Sequence, residues 1–241
     1  MAKVSGVGTT KLFIEGSDLS GDVSSLSGVG STQTLLDVTT LGSAGGVERL
    51  ASLRDGTISV AAFFDAATGQ GHDTWVSNSG KMPTTDQNCL VALGDTVGDP
   101  CLMSVAKEAT YYVDRPTGGP VSCTVDLSAA SGTAPDMGIL LTGGAETKGA
   151  ATNFTVVDNG ASTSGGARGM VQVVARTSGT INLAIEDSPD NVTYTSLIAF
   201  TALSAVGSES KAATGTVNRY LRFSITGTFA GMTVIAGVIR L

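Results

Sequence analysis

The feature that most limits how this chain can fold is a series of short runs in which apolar and polar residues alternate. A turn sequence ends each run. In the C-terminal part the turns recur roughly every 8 to 12 residues, the spacing typical of a small antiparallel sandwich. Alternation with period two is the pattern of a half-buried strand. Strands are therefore predicted at residues 11–15, 57–65, 89–93, 101–112, 120–127, 170–176, 180–187, 194–200, 219–226 and 233–241.

The composition favours the same fold class. The 241 residues include 32 Gly, and only 15% are charged and 5% aromatic. Such a chain favours strands and turns over long helices, and its length allows a substantial core. One short helix is predicted near residues 71–78, before Gly80. We expect a mainly β protein: a β-sandwich or barrel with one short flanking helix, followed by a small antiparallel β-sandwich.

Two further segments shape the predicted organisation. Residues 143–169 are rich in Gly, Ala, Ser and Thr, which predicts a domain boundary and hence domains at 1–148 and 149–241. Residues 16–46 form a long segment in which Ser, Gly and Thr interrupt short apolar pieces. A segment of this length is either an extended hairpin or an ordered interaction loop.

The charged residues argue against nucleic-acid binding. The net charge is −7, the isoelectric point is near 4.6, and the 14 basic residues are scattered. Binding to phosphates needs clustered Lys and Arg. Neither a secretory signal nor a membrane span is evident, because no apolar run is long enough. Synthesis in the host cytoplasm and no membrane partner are expected.

Candidate catalytic and metal-binding residues are few. His72 is the only histidine, and its neighbours Asp73 and Thr74 would point away from it on a helix. The three cysteines lack the C-x-x-C spacing of zinc or redox sites, so buried reduced thiols are expected. We therefore expect no catalytic residues, no metal, no cofactor and no enzymatic activity.

Several segments resemble major tail proteins of long-tailed bacteriophages, which are virion structural proteins. Segments 21–27, 36–41 and 53–60, followed by Phe63-Phe64-Asp65, are similar to the N-terminal region of that family. Segments 185–194 and 215–223 are also similar to that group, and to accessory β-sandwich modules of other virion proteins.

The resemblance implies a tail tube protein in the virion. Six copies would close a ring, and rings would stack around the tape-measure protein and contact other tail proteins, with DNA only passing through the lumen. The 16–46 loop would then be the contact between rings. Candidate self-assembly residues are Leu26, Leu35, Leu36, Val38, Leu41, Val47 and Leu50.

Two alternatives remain open at the level of sequence. A capsid decoration protein would differ only in the geometry of assembly. A carbohydrate- or surface-binding β-sandwich module would use exposed aromatic rings, and four Tyr and one Trp leave little material for such a site.

Overall fold

The computed structural model describes residues 8–43, 45–76 and 80–241. It is 54% strand and 2% helix, which confirms the predicted mainly β class with one short helix. In chain order the elements are β1 (Lys11–Ile14), β2 (Ser17–Asp18), β3 (Val23–Ser27), β4 (Thr32–Asp37), β5 (Arg49–Asp55), β6 (Thr57–Phe63), α1 (Gly71–Trp75), β7 (Gln87–Ala92), β8 (Pro100–Asp114), β9 (Ser122–Ala129), β10 (Asp136–Leu140), β11 (Glu146–Lys148), β12 (Thr152–Asn153), β13 (Val157–Asp158), β14 (Ala167–Arg176), β15 (Gly179–Ser188), β16 (Thr195–Ala199), β17 (Gly207–Ala213), β18 (Tyr220–Phe229) and β19 (Met232–Arg240).

Helix α1 begins where the sequence predicts it and is shorter than the predicted range 71–78. Val76 already has φ −130° and ψ 78°, outside the helical region. Residues 77 and 78 of the prediction lie outside the described residues. The helix holds the buried Trp75 against the core of the N-terminal half.

The main sheet is antiparallel and has 12 strands. Its longest path runs β17-β14-β19-β10-β8-β7-β1-β2, and a branch runs from β8 through β9 and β6 to β3. Strand β8 makes this branch possible because its 15 residues are more than one neighbouring strand pairs with. Its first part pairs with β7 and β10, and its second part pairs with β9. A second sheet, β12-β18-β15-β16 with β13 beside β18, covers β14 and β19.

Three clusters of buried apolar side chains lie between these layers. One fills the C-terminal sandwich, and a second lies between β6 and β9 on one side and β1 and β7 on the other. The third joins the two halves of the chain, because Phe13 and Leu90 share it with Met170, Ile235 and Ile239. The cysteines are buried and free, as expected.

A buried polar network also connects the two halves. The side chain of Gln172 on β14 accepts a hydrogen bond from the Gly16 N–H at 2.6 Å. It donates another to the Asn88 carbonyl at 2.9 Å. Strand pairing crosses the same junction, since β10 pairs with β19. The division into domains 1–148 and 149–241 stays a prediction. A test of this division must remove the contacts between the two halves.

Replacing Gln172 with Ala is expected to lower the free energy of unfolding by about 1–3 kcal/mol, because the buried Gly16 N–H would lose its acceptor. Urea unfolding of the full chain measures this. The matched control is Gln33→Ala on the exposed strand β4, where the amide makes one 3.4 Å hydrogen bond. An exposed substitution of this kind should change stability by about 0.5 kcal/mol or less. Equal effects of the two substitutions would contradict the role of Gln172.

Glu108 is a buried carboxyl on the core face of β8. Within the described part of the chain, neither of its carboxyl oxygens has a hydrogen-bond partner. Burial raises the pKa of Glu108 from 4.5 to about 8, because desolvation disfavours the charged form. The side chain is therefore protonated near neutral pH.

This raised pKa predicts a specific pH dependence of stability. The folded state holds the proton more tightly than the unfolded state, so the contribution of Glu108 is complete below about pH 4.5 and is lost as the pH rises toward about 8. The slope is at most roughly 1.4 kcal/mol per pH unit. In Glu108→Gln this component of the slope should disappear between those pH values. Parallel stability profiles of the two chains would contradict the assignment; urea unfolding at several pH values gives both.

Candidate self-assembly surfaces

A separate two-stranded hairpin is the first candidate assembly surface. Strands β4 and β5 pair with each other, and within the described residues neither belongs to another sheet. Leu36 lies opposite Leu50, and Asp37 lies opposite Arg49. Segment 16–46 contains β2, β3 and β4, so its last part is one arm of an extended hairpin. We call residues 32–55 the hairpin.

The hairpin exposes apolar side chains on both of its faces. The exposed fractions are 53% for Leu35, 47% for Leu36, 58% for Leu50 and 81% for Leu53. Neighbours on the strand project to opposite faces, so Leu35 and Leu36 show that neither face is covered. An isolated two-stranded hairpin is at best marginally stable in water. An apolar surface of this kind is typical of an interaction site.

Six of the seven predicted self-assembly residues lie together on this hairpin. These exposed residues are Leu35, Leu36, Val38, Leu41, Val47 and Leu50. Leu26 differs, because it lies on β3, is half-buried and packs against the core of the N-terminal half. Leu53 lies on the same strand as Leu50 and is also exposed, and it was not among the predicted residues. Their part in assembly stays a prediction.

The second candidate surface is the outer face of the four strands β3, β6, β9 and β8. The residues that share this face by register are Ser25, Ser27, Thr57, Ser59, Ala61, Phe63, Lys107, Thr110, Tyr112, Asp114, Ser122, Thr124, Asp126 and Ser128. Most of them are small and carry hydroxyl groups. The opposite face carries Ile58, Val60, Val125 and Leu127 and is buried in the core. The alternation along β6 and β9 thus separates a polar outer face from the core.

Asp126 places a negative charge near the middle of this polar face. Its carboxylate accepts hydrogen bonds from Ser59 Oγ at 2.5 Å and from Thr110 Oγ1 at 2.7 Å. These two hydrogen bonds hold the pKa of Asp126 below its ordinary value. Lys107 lies at the border of the face, and its Nζ is 2.6 Å from Asp86 Oδ1. The face is therefore hydroxyl-rich, with its basic charge neutralised by an ion pair.

Both borders of this four-stranded surface are open strand edges. Ala106 pairs with Gln87 on one side of β8 and with Ala129 on the other. Because β7 ends there, no strand within the described residues pairs with residues 107–114 on that side. Strand β3 likewise pairs only with β6 among the described strands. Unpaired strand edges are sites where another chain can add by backbone hydrogen bonds.

His72, the candidate catalytic residue of the sequence, packs against aromatic side chains. Its Nδ1 lies 2.7 Å from the Tyr111 hydroxyl, and its ring centroid lies 4.7 Å from that of Phe64. The Asp73 carboxylate instead accepts a hydrogen bond from the Gly69 N–H. These contacts hold α1 against β8.

No group of three or more His, Cys, Asp and Glu side chains in the described residues is placed to hold a metal ion. In residues 8–43, 45–76 and 80–241, no helix has the length and apolar character that crossing a membrane requires.

The similarities found between this chain and known proteins are similarities to solved structures. No family model matches the chain, and no curated protein matches it. A chain from the tail of an empty gene transfer agent particle with C6 symmetry is 20% identical, with a TM-score of 0.42; the match covers 56% of this chain and 98% of that one. A chain from the virion of a native gene transfer agent is 17% identical, with a TM-score of 0.40, covering 52% and 95%. The phage SPP1 Dit protein, from a hub adsorption apparatus of phages infecting Gram-positive bacteria, is 14% identical, with a TM-score of 0.37, covering 96% and 99%.

Proposed function

We propose that this chain is a structural protein of a phage tail, which self-assembles into stacked rings that form the tube for DNA. The observation that carries the proposal is the hairpin, whose apolar side chains are exposed on both faces. A soluble monomer leaves this surface in water, whereas a neighbouring copy can bury it. The similarity of segments 21–27, 36–41 and 53–60 to major tail proteins supports the choice of a tail over other assemblies.

The open strand edges supply a means of closing a ring. Each neighbouring pair in the series β3, β6, β9 and β8 is antiparallel, so β3 and β8 run in opposite directions. The edge of β8 in one copy can therefore add to β3 of the next copy as an antiparallel pair. A contact between two different edges is head-to-tail, and it closes into a ring when the rotation allows. Six copies per ring is the number that the resemblance implies.

The hydroxyl-rich face is the surface that we assign to the lumen. If neighbouring copies continue this sheet around the ring, its buried face stays toward the core of each copy and its polar face lines one side of the wall. DNA is retained by clustered Lys and Arg that displace its counterions. A face of Ser and Thr hydroxyls with the charge of Asp126 lacks that attraction, so DNA can pass without being held.

A tail tube also implies the partners, the location and the role of this protein. The chain's partners are itself, the tape-measure protein and other tail proteins, and DNA is present only in transit. Its place is the virion tail after synthesis in the host cytoplasm. Its role is structural, with no enzymatic step and no cofactor.

Expression of the whole chain tests the proposal. Negative-stain electron microscopy and light scattering would be recorded as the protein concentration rises. Hollow rings or tubes of uniform diameter are the expected result. A persistent monomer or a compact trimer would overturn the tube and favour a capsid decoration protein or a surface-binding module.

A further inference from the structure

An acidic side chain joins the hairpin to the C-terminal half of the protein. Asp136, the first residue of β10, forms an ion pair with Arg54 of the hairpin through Oδ1. Its other oxygen, Oδ2, lies 3.0 Å from Arg168 Nη2 on β14. The side chains of Asp136 and Arg168 are only 16% and 12% exposed, so this end of the bridge is firmly placed. One carboxylate thus connects elements that are 82 residues apart on one side and 32 residues apart on the other.

An open cleft lies between the hairpin and the body, next to this bridge. The cleft has a volume of about 610 Å³ and lies between residues 52–55 and residues 129–136. Close packing, which normally fixes the angle between two elements, is thus missing along this wall. The ion pair from Arg54 crosses the gap.

The two ends of the hairpin are narrow connections rich in glycine. Gly28 has φ +69°, and a Cβ at this position would collide with the Thr57 carbonyl. At Gly56 a Cβ would lie 2.7 Å from the Gly30 carbonyl oxygen and 2.8 Å from Pro135 Cγ. These close approaches hold the base of the hairpin in place. The strands beyond the base pair only with each other, so their direction needs a separate restraint.

We propose that Asp136 is a positioning residue, whose carboxylate fixes the angle at which the hairpin leaves the body. Arg168 holds the carboxylate, and the carboxylate holds Arg54. When the bridge is broken, the hairpin swings about its base and covers a range of angles. The consequence for assembly rests on the proposed function: a hairpin held at one angle meets the next copy without a search, whereas a swinging hairpin loses entropy on docking.

Distances between two spin labels measure the hairpin angle directly. One label replaces Leu41 at the exposed tip, and the other replaces Val192, which is 79% exposed in the C-terminal half. Burial raises the pKa of Cys89 and Cys101 to about 12 and that of Cys123 to about 11, so these native thiols should resist labelling. Measurement takes place at concentrations where the chain is monomeric.

Three substitutions test the bridge, in the labelled chain for the distances and in the chain without labels for the assembly rates. Arg54→Ala removes the hairpin's end of it and leaves Asp136 paired with Arg168, so the fold is kept. Asp136→Asn removes the charge in the middle. The matched control is Asp158→Asn, which breaks a two-point ion pair with Arg219 in the C-terminal half, at 2.6 Å for both contacts. Thermal unfolding of each variant checks that it is folded.

The expected result is a narrow distance distribution in the parent and the control and a distribution at least about twice as wide in Arg54→Ala and Asp136→Asn. A swinging hairpin should also slow assembly at least about tenfold, equivalent to about 1.4 kcal/mol. Unchanged distributions in both variants overturn the proposal. Wider distributions with unchanged assembly rates overturn the role of the angle in assembly. If the parent chain without labels does not assemble at all, the proposed function fails, and the distances still decide whether Asp136 fixes the hairpin.

Discussion

A chain that ends at residue 148 is expected to lose its cooperative fold. The deletion removes β19, which lies between β14 and β10 in the main sheet, and leaves β10 with an unpaired edge. It also removes Met170, Ile235 and Ile239 from the cluster that they share with Phe13 and Leu90. Each fully buried apolar side chain contributes roughly 1.5–3 kcal/mol, whereas a whole domain is stable by only about 5–15 kcal/mol.

Near-ultraviolet circular dichroism and urea unfolding of residues 1–148 measure this loss. The full-length chain is the reference. In the control, a fragment of residues 149–241 is expressed together with 1–148, so that it supplies the contacts that the deletion removes. Recovery of soluble protein by the second fragment is expected if the lost interface is the cause. A soluble 1–148 fragment with a steep unfolding transition of its own would instead support an independent domain with its boundary near residue 148.

The second large effect is expected from the hairpin. Leu36→Thr and Leu50→Thr together replace an opposed apolar pair, and Leu53→Thr removes the most exposed leucine of β5. Threonine keeps the preference for strands, so the hairpin should form. Each leucine buried between copies contributes roughly 1.5–3 kcal/mol, and about 1.4 kcal/mol is a tenfold change in affinity. The triple variant should raise the concentration needed for assembly about a thousandfold or more.

Light scattering against concentration measures assembly, and thermal unfolding measures the fold of the monomer. Val192→Thr is the matched control, because Val192 is an exposed apolar residue far along the chain in the turn before β16. The triple variant is expected to be a stable monomer, while the control assembles normally. Polymer of normal length from the triple variant would sink the assignment of the hairpin as a contact between copies.

Local alternation predicted ten of the nineteen strands in the described residues, because each pattern reflects one buried face. The predicted strand at 57–65 corresponds to Thr57–Phe63, and that at 101–112 corresponds to Pro100–Asp114. Strand β17 was missed, since Gly207–Ala213 has small and charged residues and is nowhere fully buried. Strand β10 was also missed, because its five residues show no alternating pattern of burial. Both strands are held by neighbours that are distant in sequence.

The sequence by itself determined the strand-rich class, the place of the one short helix, and the apolar residues that the hairpin exposes. These features depend on residue type and on periods of a few residues. Only the tertiary structure decided that β10 and β19 join the two halves, that the hairpin stands apart from the main sheet, and that Asp136 meets Arg54 and Arg168. Those outcomes depend on which strand edges and side chains meet across 30 or more residues, and residue type and local period do not encode that choice.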